Sequence, residues 1–238
     1  MRIDIIGLHK SFDGNNLFFI QEYKFQTGQA YGMIGNNGIG KTTLLRIISG
    51  FDTKYEGTVY FDGRPYTDQT TKKISYISQK PYMLNRSVRE NIAYPLLIRK
   101  WNRKSVDREV EVWLDMLGLT DLADRKAIVL SAGEQQKVAL ARGLIYQPEL
   151  VLLDEPTANI DPESVKILEQ ILSNYQLKTK ATIIWVTHNL EQAFRICDQV
   201  IVMKKDRLQN ISKHRLQASL DSMRKLDRVL NDHEEVEG

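Results

Sequence analysis

The chain carries one cysteine, Cys197, among 238 residues, which excludes an intrachain disulfide. Its setting, Phe194-Arg195-Ile196-Cys197, suits a small packing residue, with a reactive thiol as the alternative. Net charge is scarce too: the formal value is +3 at pH 7, which points neither toward nor away from nucleic acid or an anionic membrane surface. No apolar run approaches the roughly 20 residues that span a bilayer. The opening Met1-Arg2-Ile3-Asp4 leads into no signal-peptide core. The expectation is a soluble, cytosolic chain that reaches a membrane only through a partner. Internal repeats and low-complexity linkers are missing as well. With 42% hydrophobic content, the chain can bury the core of one domain plus a subdomain.

What is present begins with Gly35-Asn36-Asn37-Gly38-Ile39-Gly40-Lys41-Thr42. The segment fits the phosphate-binding pattern GxxxxGK[ST] at every fixed position. The run before it, Gln29 to Ile34, reads as a strand, and Thr43-Leu44-Leu45-Arg46-Ile47-Ile48 reads as the start of a helix. That strand–loop–helix setting separates the motif from a glycine-rich turn. Glycines let successive N–H groups point at phosphate oxygens, and the helix N-terminus adds positive partial charge. Lys41 suits the β- and γ-phosphates, and the Thr42 hydroxyl suits Mg²⁺.

Residues 2–31 alternate apolar and polar positions (Ile3, Ile5, then Leu17, Phe19, Tyr23, Phe25), which predicts antiparallel strands around the turn Asp13-Gly14-Asn15-Asn16. Gly57 to Gly63 and Ile74 to Ser78 read as further strands, the second ending at Gln79. From about 81 to 129 the pattern becomes helical. Val106, Val110, Trp113, Leu114 and Leu117 share one face, Trp113 as a core residue, and Ser105 is the expected N-cap. Leu150-Val151-Leu152-Leu153, Ala181 to Val186 and Val200 to Met203 read as buried strands. Val165, Leu168, Ile171, Leu172 and Tyr175 mark a helix between the first two. The segment 206–238, with Leu216, Leu220, Met223, Leu226 and Leu230 at helical spacing, reads as an amphipathic tail that packs on its own domain or on another chain.

The phosphate loop alone says only that a nucleotide binds. The apolar run 150–153 then delivers Asp154 and Glu155 to the carboxyl edge of a parallel sheet, where ligands of open α/β sheets bind. Asp154 suits Mg²⁺, and Glu155 suits the orientation and deprotonation of an attacking water. Leu130-Ser131-Ala132-Gly133-Glu134 opens another helix, whose N-terminus forms a second anion site. Lys41 already serves the γ-phosphate, so this second site points to the nucleotide of a partner.

Taken together these motifs resemble those of ABC-type ATPases, the nucleotide-binding subunits of ABC transporters, over about residues 1–205. The segment 130–134 is similar to the family signature LSGGQ, with Ala132 for the first Gly and Glu134 for Gln. Ala132 is expected to be tolerated where its backbone φ is negative, and Glu134 places a carboxylate near the partner's ATP. By the same resemblance Gln79 is the glutamine that meets Mg²⁺ and the attacking water. Asp161, in Ala158-Asn159-Ile160-Asp161, holds the acidic position of the loop that faces the partner, and His188 is the switch histidine. Phe12 either stacks on adenine or packs in the core.

The resemblance implies an α/β P-loop NTPase with a mainly parallel sheet, an N-terminal antiparallel β subdomain and an inserted helical subdomain at about 81–129. It implies ATP and Mg²⁺ as cofactors. ATP would be held by Phe12, Gly35, Asn36, Asn37, Gly38, Ile39, Gly40, Lys41, Thr42, Thr43, and a partner's Ser131, Gly133 and Asp161. The metal would be held by Thr42, Gln79 and Asp154, with Glu155, His188, Gln79 and Lys41 catalytic. The implied partners are a second copy paired head to tail, integral-membrane permease subunits and an extracytoplasmic substrate-binding protein, with no nucleic acid. The chain would then sit on the inner face of the membrane. Tyr82, Met83, Leu84 and Tyr94 to Leu97 offer either a docking groove for the permease or ordinary core. The short tail, the signature ending in Glu134 and Glu90-Asn91-Ile92-Ala93-Tyr94-Pro95-Leu96 look most similar to tungstate or molybdate importers, with polar amino acid and phosphate importers as alternatives. A soluble ABC ATPase of translation or DNA repair is the alternative. A small-molecule phosphotransferase leaves Ser131 and His188 without a role.

Overall fold

The structure, a computed structural model, describes residues 1–158 and 160–211. The chain opens with a hairpin, β1 (Ile3–Phe12) and β2 (Asn15–Phe25). Its turn is only two residues, Asp13-Gly14, both left-handed, as tight hairpins require. Asn15 and Asn16, expected in the turn, already pair with Phe12 and Ser11. After β3 (Ala30–Ile34) and α1 (Lys41–Ile48) come β4 (Glu56–Phe61) and β5 (Arg64–Pro65). The antiparallel sheet has the order β2-β1-β4-β5.

A second sheet contains β3, then β6 (Ile74–Ile77), β7 (Leu150–Asp154), β8 (Thr182–Val186), β9 (Gln199–Met203) and β10 (Leu208–Ile211), in the order β10-β9-β3-β8-β7-β6. All neighbours are parallel except β10 on β9. Strands β7 and β8 are apolar apart from Asp154 and Thr182 because both faces are covered. Leu150, Leu152, Ile184 and Val186 join the core shared with α1 and the antiparallel sheet. Val151, Leu153, Ile183 and Trp185 join the core on the other face. This is strand periodicity of two with no solvated side. Cys197 lies in the second core, where burial pushes its thiol up to about 12; it packs, and no thiolate forms near neutral pH.

That second core is completed by helices. α2 (Asp68–Thr71) is a single turn; α3 (Val88–Ile98) and α4 (Arg103–Met116) build the inserted helical region together with 3₁₀ turns at Thr120–Leu122 and Ala127–Val129. Val106, Val110, Trp113, Leu114 and Leu117 are buried. The N-cap of α4 is Asn102 rather than Ser105: the Asn102 carboxamide accepts from the Ser105 N–H at 2.9 Å, so the helix starts earlier. α5 (Ala132–Leu144), α6 (Pro162–Thr179) and α7 (Leu190–Ile196) follow. The chain at 208–211 is strand and not the start of a helical tail, since Leu208 is buried and pairs with Met203. Leu216, Leu220, Met223, Leu226 and Leu230 lie outside the described residues. Among those described, no helix is long and apolar enough to cross a membrane.

Candidate active site

Strand register assembles the site. Ile77 pairs with Leu153, Asp154 with Val186 and Met33 with Val186. Because β3, β6, β7 and β8 are parallel, the loops that follow them open on one edge of the sheet. Those loops carry 35–42, Gln79, Glu155 and His188.

The phosphate loop runs from β3 into the N-terminus of α1. Gly40 sits there at φ 106, and a Cβ would lie 2.6 Å from a Phe18 ring carbon, so both backbone and space demand glycine. Lys41 is buried, and its ammonium donates to the Gly35 carbonyl at 2.7 Å and the Asn36 carbonyl at 3.1 Å. Burial lowers its pKa, against an upward pull from Glu155 and then Asp154. An anionic phosphate relieves this loss of hydration better than two neutral carbonyls do. Asn36, Asn37 and Gly38 are exposed and Ile39 half-buried at the loop's outer curve; Thr43 is half-buried in the first turn of α1.

Thr42 and Asp154 meet directly: the Thr42 hydroxyl donates to Asp154 Oδ1 at 3.0 Å. The other carboxylate oxygen accepts from the Tyr76 hydroxyl at 2.9 Å. Burial, the Asp154 charge and this hydrogen bond all push the Tyr76 hydroxyl pKa upward, so it stays a donor. Tyr76 was not among the expected site residues; on β6 it reads as one more core aromatic, and only its register beside β7 shows its role. Among the described residues no cluster of His, Cys, Asp and Glu builds a metal cage. A hydroxyl and one carboxylate fit Mg²⁺, which takes few protein ligands and fills its shell with phosphate oxygens and water.

Glu155 follows Asp154 with φ 50, a left-handed conformation that costs a non-glycine residue on the order of 1–3 kcal/mol and needs support from its surroundings. Its N–H donates to the Val186 carbonyl at 3.0 Å. Glu155 Oε1 pairs with His188 Nε2, and Glu155 Oε2 accepts from the Gln79 carboxamide at 3.4 Å. Gln79, Glu155 and His188, predicted separately, thus converge on one carboxylate.

Phe12 ends β1 with its side chain half exposed, 51% by residue, so it is not core. Lys10 Nζ lies 4.5 Å from the ring centroid, and that buried ammonium is held by Asp52 at 2.8 Å and the Lys54 carbonyl at 2.7 Å.

Ser131 and Gly133 form a separate group. Ser131 caps α5; its hydroxyl and N–H both donate to Glu134 Oε2, at 2.7 and 2.8 Å. These two bonds, the hydroxyl's first, hold the Glu134 carboxyl below the usual carboxylate range. Ala132 is the first residue of α5 and has no positive φ, so its methyl costs no backbone strain. Gly133 lies against the N-terminus of α6: a Cβ there would be 2.8 Å from Asp161 Oδ2 and 2.9 Å from Ser164 Oγ. Asp161 caps α6, accepting from the Ser164 N–H at 2.8 Å. One chain therefore shows a nucleotide edge and a separate anion-directed helix end.

Comparison with known proteins accords with this geometry. A family model described as ABC transporter matches residues 21–158. The chain belongs to the ABC transporter family. It is an ATP-binding subunit of that family, and an ATPase. A similar protein is the tungstate uptake system ATP-binding protein TupC of Peptoclostridium acidaminophilum, 42% identical over 208 residues, which are 87% of this chain and 97% of that protein. The sulfate/thiosulfate import ATP-binding protein CysA of Synechococcus elongatus is 35% identical over 78% of this chain. The spermidine/putrescine import ATP-binding protein PotA of Bacteroides fragilis is 33% identical over 88%. The chain spans about half the length of these last two, 55% and 46%. Among solved structures, CbiO1 of Clostridium perfringens, part of the ABC transporter complex CbiONQ, superposes with a TM-score of 0.81 at 26% identity, covering 97% of this chain and 96% of that one.

Proposed function

We propose that this ATPase subunit powers uptake of an oxyanion of the tungstate or molybdate kind through a separate permease. The observation that carries the reading is the match to a tungstate uptake subunit over 97% of that protein's length. The sulfate/thiosulfate relative extends the oxyanion theme. A soluble ABC ATPase of translation or repair has no such support.

Two copies pair head to tail, so that Lys41 and Thr42 of one chain and Ser131 and Gly133 of the other enclose each ATP. The separation of these groups within one chain supports this arrangement, and a two-fold dimer yields two equivalent sites. Thr42 and Asp154, with Gln79, would hold Mg²⁺, which would supply charge neutralisation at the phosphates. Phe12 stacks on adenine. Lys41 exchanges its loop carbonyls for the γ-phosphate, Glu155 takes a proton from the attacking water, and His188 orients Glu155. Because the γ-phosphate bridges the copies, its loss releases them, and ATP acts as a switch through its preference for the closed state. The permease holds the subunit on the inner face of the membrane, and an extracytoplasmic binding protein delivers the cargo.

Ser131→Arg tests the composite site. It is expected to abolish hydrolysis while the monomer binds a fluorescent ATP analogue normally; normal turnover refutes the head-to-tail dimer. Co-purification tests the setting: an integral-membrane partner should accompany the tagged chain, and tungstate or molybdate should stimulate ATPase activity in the complex reconstituted with its binding protein.

A further inference from the structure

The loops that carry Glu155 and His188 are joined by a polar cluster beneath the nucleotide edge. Gln192, on α7, is 2% exposed. Its carboxamide oxygen accepts from the Thr157 hydroxyl at 3.1 Å and from the Thr187 hydroxyl at 2.9 Å. Thr157 lies two residues after Glu155, and Thr187 immediately precedes His188. The carboxamide nitrogen donates to Glu169 Oε1 at 2.8 Å. A carboxylate accepts only, so Glu169 fixes which end of the amide faces the threonines. Glu169, on α6, is held in turn by two Arg195 hydrogen bonds, at 2.7 and 3.2 Å. Both lone pairs of the Gln192 oxygen are thereby filled, one from each loop.

We propose that Gln192 is a positioning residue, whose amide clamps the Glu155 loop to the His188 loop and so fixes the carboxylate for water activation. The inference rests on the proposed roles of Glu155 and His188. It adds to the backbone bonds that Glu155 makes with Val186 and Ala158 in holding a left-handed glutamate in place: the further support comes from a buried amide, hydrogen-bonded at both ends, on a packed helix. A buried amide of this kind resists rearrangement, because any motion of one loop leaves a polar group unpaired.

Thr157→Val tests the clamp, since valine keeps the shape and removes one hydroxyl. Steady-state hydrolysis by the full chain is expected to show kcat lowered about fivefold, the loss of one neutral hydrogen bond from the transition state, with half-saturating ATP unchanged. Thr157→Ser, which restores the hydroxyl, should return kcat to the wild-type value. Wild-type kcat in Thr157→Val overturns the clamp, as does a fall that serine does not reverse or a rise in half-saturating ATP at constant kcat. Glu155→Gln is measured alongside. If it retains wild-type turnover, the reading of Glu155 itself fails and the clamp with it. If it abolishes turnover while Thr157→Val is normal, the clamp alone fails.

Discussion

Gly133→Ala is the sharpest probe of how the signature helix meets the rest of the site. The added methyl would sit 2.8 Å from Asp161 Oδ2 and 2.9 Å from Ser164 Oγ, so one of the two must move. Both belong to a single structure, the N-cap of α6, with Asp161 accepting from the Ser164 N–H at 2.8 Å. Displacing the cap costs about 1 kcal/mol, and forcing a methyl into a filled contact costs about 1–3 kcal/mol. Alanine's better helix propensity offsets about 1 kcal/mol. The expected net destabilisation is about 2 kcal/mol, read from urea unfolding followed by the fluorescence of the buried Trp185. In an Asp161→Ala background, with the cap already gone, the same methyl should cost about 1 kcal/mol less. Ala132→Gly, one residue away on the exposed side of the same turn, should cost no more than about 1 kcal/mol. An unchanged midpoint for Gly133→Ala, or full additivity with Asp161→Ala, refutes the contact.

Phe12→Ala should weaken ATP binding roughly tenfold, the lower range of base–aromatic stacking at about 1–3 kcal/mol; unchanged affinity in a fluorescent-nucleotide titration shows that the half-exposed ring is not the adenine platform. The Glu134 carboxyl, held below its ordinary value of 4.5 by Ser131, gives a pH prediction. A lowered folded pKa means that its stabilisation is complete above 4.5 and is lost as pH falls through the lowered value. The midpoint of wild type should therefore drop relative to Glu134→Gln as pH falls below 4.5, and parallel pH profiles for the two proteins sink the assignment.

Elements with one dominant local cause were legible in the sequence. Strands β7 and β8 hold the apolar runs 150–153 and 183–186 because both faces are covered, and the phosphate loop is recognisable because its glycines answer to backbone geometry. Where two local causes competed, the sequence did not decide. Asn102 and Ser105 both suit a helix cap, and the earlier acceptor won. Where the cause is a distant partner, the sequence was silent. The segment Leu208–Ile211 has little strand character of its own and owes its conformation to the exposed edge of β9. Tyr76 looks like core until register sets it beside Asp154. Gln192 looks like a surface residue of a short helix until Thr157 and Thr187 are seen to converge on it.

The same distinction bears on how one chain would carry two halves of different sites in the proposed dimer. Ser131 spends both of its donors on Glu134, so in a single copy the signature helix end is satisfied and exposes no unpaired hydroxyl. Lys41 likewise gives two of its three ammonium protons to loop carbonyls. Each half rests on a local substitute for phosphate, a carboxylate in one case and carbonyls in the other. Each substitute gives the free subunit's donors partners within the same chain. In the proposed dimer a phosphate would meet both needs better: its charge would offset the lost hydration of Lys41 more fully than neutral carbonyls do, and its oxygens would face Ser131 from a second chain. The contact of Gly133 with Asp161 ties that second half to the helix that follows Asp154 and Glu155. Packing thus links the signature helix to α6 within one copy, while in the proposed dimer ATP would join the half-sites of two copies.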